Sequence, residues 1–199
     1  MKKIIGTLLA AVLGGWSLLA VEIGQTAPDF TATDINGKTV KLSDYKGKIV
    51  VLESYNLDCP FCANHFKTGS MQALQADLTA KGVVWLMVNS VNPNHPSHRS
   101  HADAQKEWAA EKINATDELD DSSGAIGHLY DMKTTPDMYV INKDGTLVYQ
   151  GAIDDKPDPS HDPKTARNYV REAVDDLLAG KPIEVTQTKS YGCGVKYSD

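Results

Sequence analysis

Two hydrophobic periods meet in the first third of the chain. Ile49, Val50, Val51 and Leu52 form an unbroken, largely β-branched run, the pattern of a strand covered on both faces. From Pro60 onward the sequence reads as a helix that opens on proline, and after an interruption at Gly69 it resumes with Met71, Leu74 and Leu78 on one face. Lys81-Gly82 stops that helix, and Val83 to Val88 is a second buried strand, so a parallel pair joined by a helical crossover is predicted. Upstream, Asp29 to Asp34 and Thr39 to Leu42 alternate weakly around Asn36-Gly37, a hairpin signal. Downstream, a helix over Ala102 to Ile113, a poor strand near Thr116 to Leu119 and a short helix over Gly124 to Tyr130 precede Pro136 and a strand to Asn142. Asn142 to Gly145 turns that strand back into Thr146 to Gln150. Asp154 to Pro163 is a proline- and acid-rich loop, Thr165 to Leu178 is a helix ended by Gly180, and a short strand is expected at Ile183 to Val185. No repeat or interdomain linker interrupts this, so residues 21–185 form one α/β domain and 186–199 a polar tail.

Cys59-Pro60-Phe61-Cys62 sits where strand passes into helix. Such a junction offers free N–H groups and the positive end of a helix to the first sulfur, which favours its thiolate. Cys59 is therefore the expected nucleophile. Cys62, one turn later, is positioned to attack a mixed disulfide formed on Cys59. Two cysteines at this spacing also suit half of a zinc site, but a structural site needs a second ligand pair and the only other cysteine is Cys193. Glu53, six residues before Cys59, is a lone acid in an apolar strand; buried near Cys62, it would accept that thiol's proton, whereas on an edge it would merely face solvent. Asp58 beside Cys59 opposes thiolate formation by its charge.

Residues 1–20 begin Met-Lys-Lys and continue through an apolar stretch to small residues ending at Ala20, the pattern of a secretory signal. The expected product is a periplasmic or otherwise exported chain with no stable membrane span after cleavage; retention as a signal anchor is the alternative. The net charge of −6 argues against nucleic acid as a partner. Three cysteines are too few for a disulfide framework and fit a pair kept for turnover. His95, His98 and His101 recur every third residue in a polar loop, a spacing compatible with copper, nickel or zinc, although Pro96 keeps them off one helical face.

The chain resembles the thioredoxin-fold redoxins, in particular the exported branch related to alkyl-hydroperoxide-reductase and thiol-specific-antioxidant domains. The resemblance spans about Gly24 to Gly180 and rests on Ala27-Pro28-Asp29-Phe30, the strand into Cys59-Pro60-Phe61-Cys62, Thr135-Pro136 and the hairpin from Val140 to Leu147. Tyr191-Gly192-Cys193 with Lys196-Tyr197 is similar to the ending of a redoxin-like subgroup in which the second cysteine is commonly missing, so Cys62 departs from that pattern. The resemblance implies a thioredoxin-like fold, a central mixed sheet flanked by helices, with an N-terminal hairpin and a C-terminal tail. It implies that Pro136 is a cis-proline facing the disulfide motif and that Thr135 presents its backbone to a bound substrate chain.

The activity expected is thiol-disulfide exchange by Cys59 and Cys62 on protein or small-molecule disulfides, recycled by a thiol electron donor and needing no cofactor. The alternatives are a thiol peroxidase with Cys59 peroxidatic and Cys62 or Cys193 resolving, and copper binding through Cys59, Cys62 and His65 or His128. Peroxiredoxins commonly carry threonine or serine three residues before the reactive cysteine, with an arginine nearby. This chain has Asn56 there, and none of Arg99, Arg167 and Arg171 falls in a strand next to the motif.

Overall fold

The computed structural model describes residues 21–198. The leader reading of residues 1–20 lies outside them. A seven-stranded mixed sheet is built from β1 (Thr31–Asp34), β2 (Thr39–Lys41), β3 (Val50–Ser54), β4 (Val84–Asn89), β5 (Asp117–Asp120), β7 (Met138–Ile141) and β8 (Leu147–Gly151), in the order β2-β1-β5-β4-β3-β7-β8. The strand β3 is central. It pairs in parallel with β4, from Val50 opposite Val84 to Ser54 opposite Val88, and antiparallel with β7.

Both faces of β3 are buried, as its unbroken apolar run requires. On one face Val51, Trp85, Met87 and Val140 pack against Met71, Leu74 and Leu78 of α2 (Ser70–Ala80) and Val170 and Val174 of α5 (Tyr169–Leu178). On the other, Val50, Leu52, Leu86, Val88 and Tyr139 meet Phe30, Ile126 and Tyr130. Here α1 (Pro60–Lys67) leads into α2, and α3 (His101–Ala110) and α4 (Ala125–Leu129) flank β5 in sequence. The interruption at Gly69 is a left-handed residue that ends one helix and starts the next.

The predicted strand at Ile183 to Val185 does not form; that segment is irregular. The strand in the tail is instead β9 (Cys193–Gly194), which pairs antiparallel with β6 (Thr134–Thr135). Its partner, far away in sequence, supplies the hydrogen bonds that local polarity could not foretell. No helix among the described residues is long and apolar enough to cross a membrane.

Candidate active site

The turn that delivers the thiols begins where β3 ends. Asn56 accepts the Asp58 N–H on its side-chain oxygen at 3.0 Å and the Cys59 N–H on its carbonyl at 3.0 Å, closing a tight Asx turn. Cys59 is the extended residue before α1, its carbonyl accepting from Ala63 N–H at 2.9 Å, and Pro60 fills the first helical position, where no amide hydrogen is needed. Cys62 lies one turn inside, fully buried.

Three thiols converge here. The Cys59 thiol is held well below its ordinary range, first because the Cys62 thiol hydrogen-bonds to its sulfur; burial opposes this, and Cys193 and Thr135 add further donors. In the neutral form Cys59 Sγ donates to the Thr135 carbonyl at 2.9 Å. Ionisation gives up that one bond while these three side chains and the Cys62 backbone N–H gain an anion to face, so the downward direction stands. Burial drives Cys62 well above the thiol range, reinforced by its bond to Cys59 and by the charges of Cys59 and Glu53. Cys193 is pushed up to about 11, by burial and then by Cys59.

Glu53 is fully buried on β3, facing α2 rather than an edge. Trp85 Nε1–H donates to its Oε2 at 2.8 Å, Gln75 Nε2 approaches the same oxygen at 3.5 Å, and Oε1 has no partner. Burial lifts this carboxyl to about 8, more than those two bonds lower it. Asp58 behaves differently from the sequence expectation. Arg99 donates to its carboxylate at 2.7 Å and to Glu107 at 3.1 Å, so the charge beside Cys59 is countered. An arginine thus does reach the motif, from a loop rather than a strand, but it is engaged by two carboxylates.

The Thr135–Pro136 peptide is cis, as expected from the resemblance. Thr135 and Pro136 lie over the thiols, and the edge of Thr135 is already taken: Cys193 pairs with it across β6 and β9. Gly192, at φ +144°, passes so close that a Cβ there would stand 2.1 Å from the Thr135 carbonyl oxygen; only glycine fits. Tyr191 packs its ring 5.7 Å from that of Phe61 and donates its hydroxyl to Asp154. Beyond β9, Asn92 donates to the carbonyls of Lys196 and Tyr197 at 2.9 and 3.1 Å, and Tyr197 stacks on His128 with ring centres 4.0 Å apart. Gly127 leaves the space that the Tyr197 hydroxyl occupies. The ending Tyr191 to Tyr197 is a strap laid across the thiols, and Cys59 is 1% exposed beneath it. Sequence reading identified Cys193 but missed Asn92, Phe61 and Asp154 as its anchors; the paired glycines around Cys193 were the available signal. A cavity of about 420 Å³ lined by Ala27, Leu42, Val50 and Ile141 lies at the far end of β3 and touches none of the cysteines.

The copper set of Cys59, Cys62, His65 and His128 is not assembled. His128 is committed to Tyr197, and His65, buried on α1, faces Asp154 and His161. Nor do the loop histidines converge: His95 accepts from Ser97 N–H, His98 lies 3.3 Å from the Val91 carbonyl and His101 is 2.9 Å from Asp120. Each has its own local partner, which holds the three rings apart.

Residues 23–150 match the model of the AhpC/TSA family. The thiol-disulfide oxidoreductase ResA of Geobacillus kaustophilus is 31% identical over 129 residues, 64% of this chain and 68% of that protein. Peroxiredoxin Bcp of Bacillus subtilis is 55% identical over 40 residues only, 20% of this chain and 26% of its own. A solved structure of an uncharacterised conserved protein from Geobacillus kaustophilus aligns at a TM-score of 0.80 and 28% identity, covering 89% of this chain and 93% of that one. The chain belongs to the AhpC/TSA family of thioredoxin-fold redoxins, on the side of that family related to the ResA-like proteins.

Proposed function

We propose that the protein is an exported thiol-disulfide oxidoreductase working through Cys59 and Cys62. The observation that carries this reading is the position of Cys59 before α1, its sulfur facing both the Cys62 thiol and Thr135. The Cys59 thiolate attacks one sulfur of a substrate disulfide, forming a mixed disulfide and releasing the other sulfur as a thiolate that takes up a proton. Cys62 then attacks the Cys59 sulfur, closing Cys59–Cys62 and expelling the second substrate thiolate. Two electrons pass from the pair to the substrate, and a thiol donor returns them. Glu53 in its ionised form is the acceptor for the Cys62 proton; with its carboxyl at about 8, resolution accelerates as pH rises toward that value.

The 31% identity to ResA supports this reading, as do the leader-like residues 1–20. A protein substrate that pairs with the Thr135 edge must first displace the strap. Cys193 leaves with it, and Cys62 alone remains to resolve.

Peroxidase chemistry is the second reading, favoured by the position of Cys193, which pairs with Thr135, the residue whose carbonyl accepts from Cys59 Sγ. Peroxide would oxidise Cys59 to a sulfenic acid, releasing water, and Cys193 would condense with it, releasing a second water. The two readings separate in parallel assays on reduced protein. Disulfide exchange with insulin and a small aromatic disulfide, lost in Cys59→Ser, is expected, with slow consumption of peroxide. Rapid peroxide turnover without insulin reduction would overturn the oxidoreductase assignment.

A further inference from the structure

We propose that His65, Asp154 and His161 form a binding site for a divalent transition-metal ion of the zinc class, separate from the redox thiols. His65 stands on α1 one turn beyond Cys62 and is 1% exposed. Its Nε2 is buried with no hydrogen-bond partner and points to Asp154 Oδ2 at 3.7 Å. Its Nδ1 lies 3.5 Å from the Ser70 hydroxyl.

His161 comes from the loop after β8 and is oriented from both sides. Its carbonyl accepts from Asn64 Nδ2 of α1 at 2.9 Å, which fastens the loop to the helix. Its Nδ1 faces the Asp158 carbonyl. A carbonyl only accepts, so Nδ1 carries hydrogen and the Nε2 of a neutral ring is a lone pair. That lone pair lies 3.0 Å from Asp154 Oδ2. Backbone-fixed imidazoles of this kind are the usual form of histidine ligands. Asp154 is itself buried, and its other oxygen accepts from Lys156 N–H at 2.9 Å and from the Tyr191 hydroxyl.

One ligand atom from each of the three residues lies within 4.8 Å of the others. A proton on His161 Nε2 would satisfy its contact with Asp154 and still leave His65 Nε2 without a partner in a buried position. A cation among the three atoms satisfies all of them. Zinc–nitrogen bonds of about 2.0–2.1 Å at tetrahedral angles separate neighbouring ligand atoms by roughly 3.3 Å. The observed 3.0 and 3.7 Å bracket that spacing. Two imidazoles and a carboxylate, without sulfur, suit zinc or cobalt(II) and disfavour cuprous ion. Bound there, the ion would clamp the loop of His161 to α1.

The test uses residues 21–199, as wild type and with Cys59, Cys62 and Cys193 all changed to Ser so that thiol binding is removed. Zinc chloride is titrated and retention after dialysis measured by elemental analysis; cobalt(II) reports the ligand set by its absorption. One ion per chain is expected in both proteins, with no sulfur-to-cobalt charge-transfer band in the wild type and the same cobalt spectrum in the serine protein. His161→Ala, on a surface loop, should weaken retention at least tenfold, and Asp154→Asn and His65→Ala likewise. Substoichiometric retention by the serine protein, or retention unchanged in a folded His161→Ala protein, would overturn the site and leave a histidine-carboxylate ion pair.

Discussion

At the scale of single residues the chemistry depends on unequal environments for similar groups. The Cys59 sulfur is faced by the side chains of Cys62, Cys193 and Thr135 and by the Cys62 backbone N–H, whereas Cys62 has burial against it, so the two thiols separate in acidity, as the different roles proposed for them require. Cys59→Ser should abolish exchange, whereas Cys62→Ser should accumulate mixed disulfides on Cys59, detected by mass spectrometry of acid-quenched reactions. Trapping through Cys62 in the Cys59→Ser protein would reverse the roles. Glu53 makes a second, independent prediction. Its folded-state value of about 8 lies above the ordinary 4.5, so the native state holds a proton that the unfolded chain has lost across this interval. Its contribution therefore turns unfavourable as pH rises from about 4.5 to 8, by roughly 5 kcal/mol as an upper bound. Glu53→Gln should gain stability relative to wild type between pH 5 and pH 9, followed by chemical denaturation, and should slow resolution of the mixed disulfide more than its formation, followed by stopped flow. Equal pH profiles for the two proteins would show that the carboxyl ionises freely. Glu53 was legible as a candidate because a charge inside an apolar run needs a reason. Its partners Trp85 and Gln75 were not, because they come from β4 and α2, and sequence spacing carries no record of that packing.

At the scale of elements, β3 and α1 were legible and β9 was not. The first two carry their own signals: a continuous β-branched run for a strand covered on both faces, and proline at the first helical position. The strand β9 is two residues long and exists only because Thr134 and Thr135 offer it an edge. Nothing in the local pattern of Tyr191 to Tyr197 marks a strand; the glycines flanking Cys193 show only that the chain can bend there. The strap makes a direct prediction. Gly192→Ala places a methyl group against the Thr135 carbonyl, so the segment should lift. Cys59 alkylation by iodoacetamide should accelerate by about tenfold or more, and exchange with insulin should gain more than exchange with a small disulfide. Removal of residues 191–199 should reproduce both effects. An unchanged alkylation rate in the truncated protein would mean that the strap does not limit access to Cys59.

For the whole molecule, buried carboxyls set the response to pH. Burial raises Glu118 to about 7 as well as Glu53 to about 8, and Glu118 Oε2, like Glu53 Oε1, has no hydrogen-bond partner. In each case the native state binds more protons than the unfolded chain up to the folded value, so stability declines as pH rises through that window. His65 works in the opposite sense: burial lowers it to about 4, so its contribution grows as pH rises to its ordinary 6.5 and is constant above. In reduced protein the lowered Cys59 also favours high pH, but in the Cys59–Cys62 disulfide form that thiol is gone. The oxidised, metal-free protein should therefore lose thermal stability between pH 6.5 and 8.5, measured by calorimetry, and the double variant Glu53→Gln/Glu118→Gln should flatten the profile. A midpoint that rises over this interval would contradict the buried-carboxyl account.

The central claim is that Cys59 and Cys62 are the pair that turns over, with Cys193 carried on a displaceable strap. The most direct measurement is the identity of the disulfide formed in a single turnover: reduced protein is mixed with one equivalent of an oxidised protein substrate, quenched in acid, alkylated under denaturing conditions and mapped by peptide mass spectrometry. The account predicts Cys59–Cys62 as the dominant bond with Cys193 alkylated, and the same first-turnover rate in Cys193→Ser. A dominant Cys59–Cys193 bond with Cys62 left as a free thiol would contradict it.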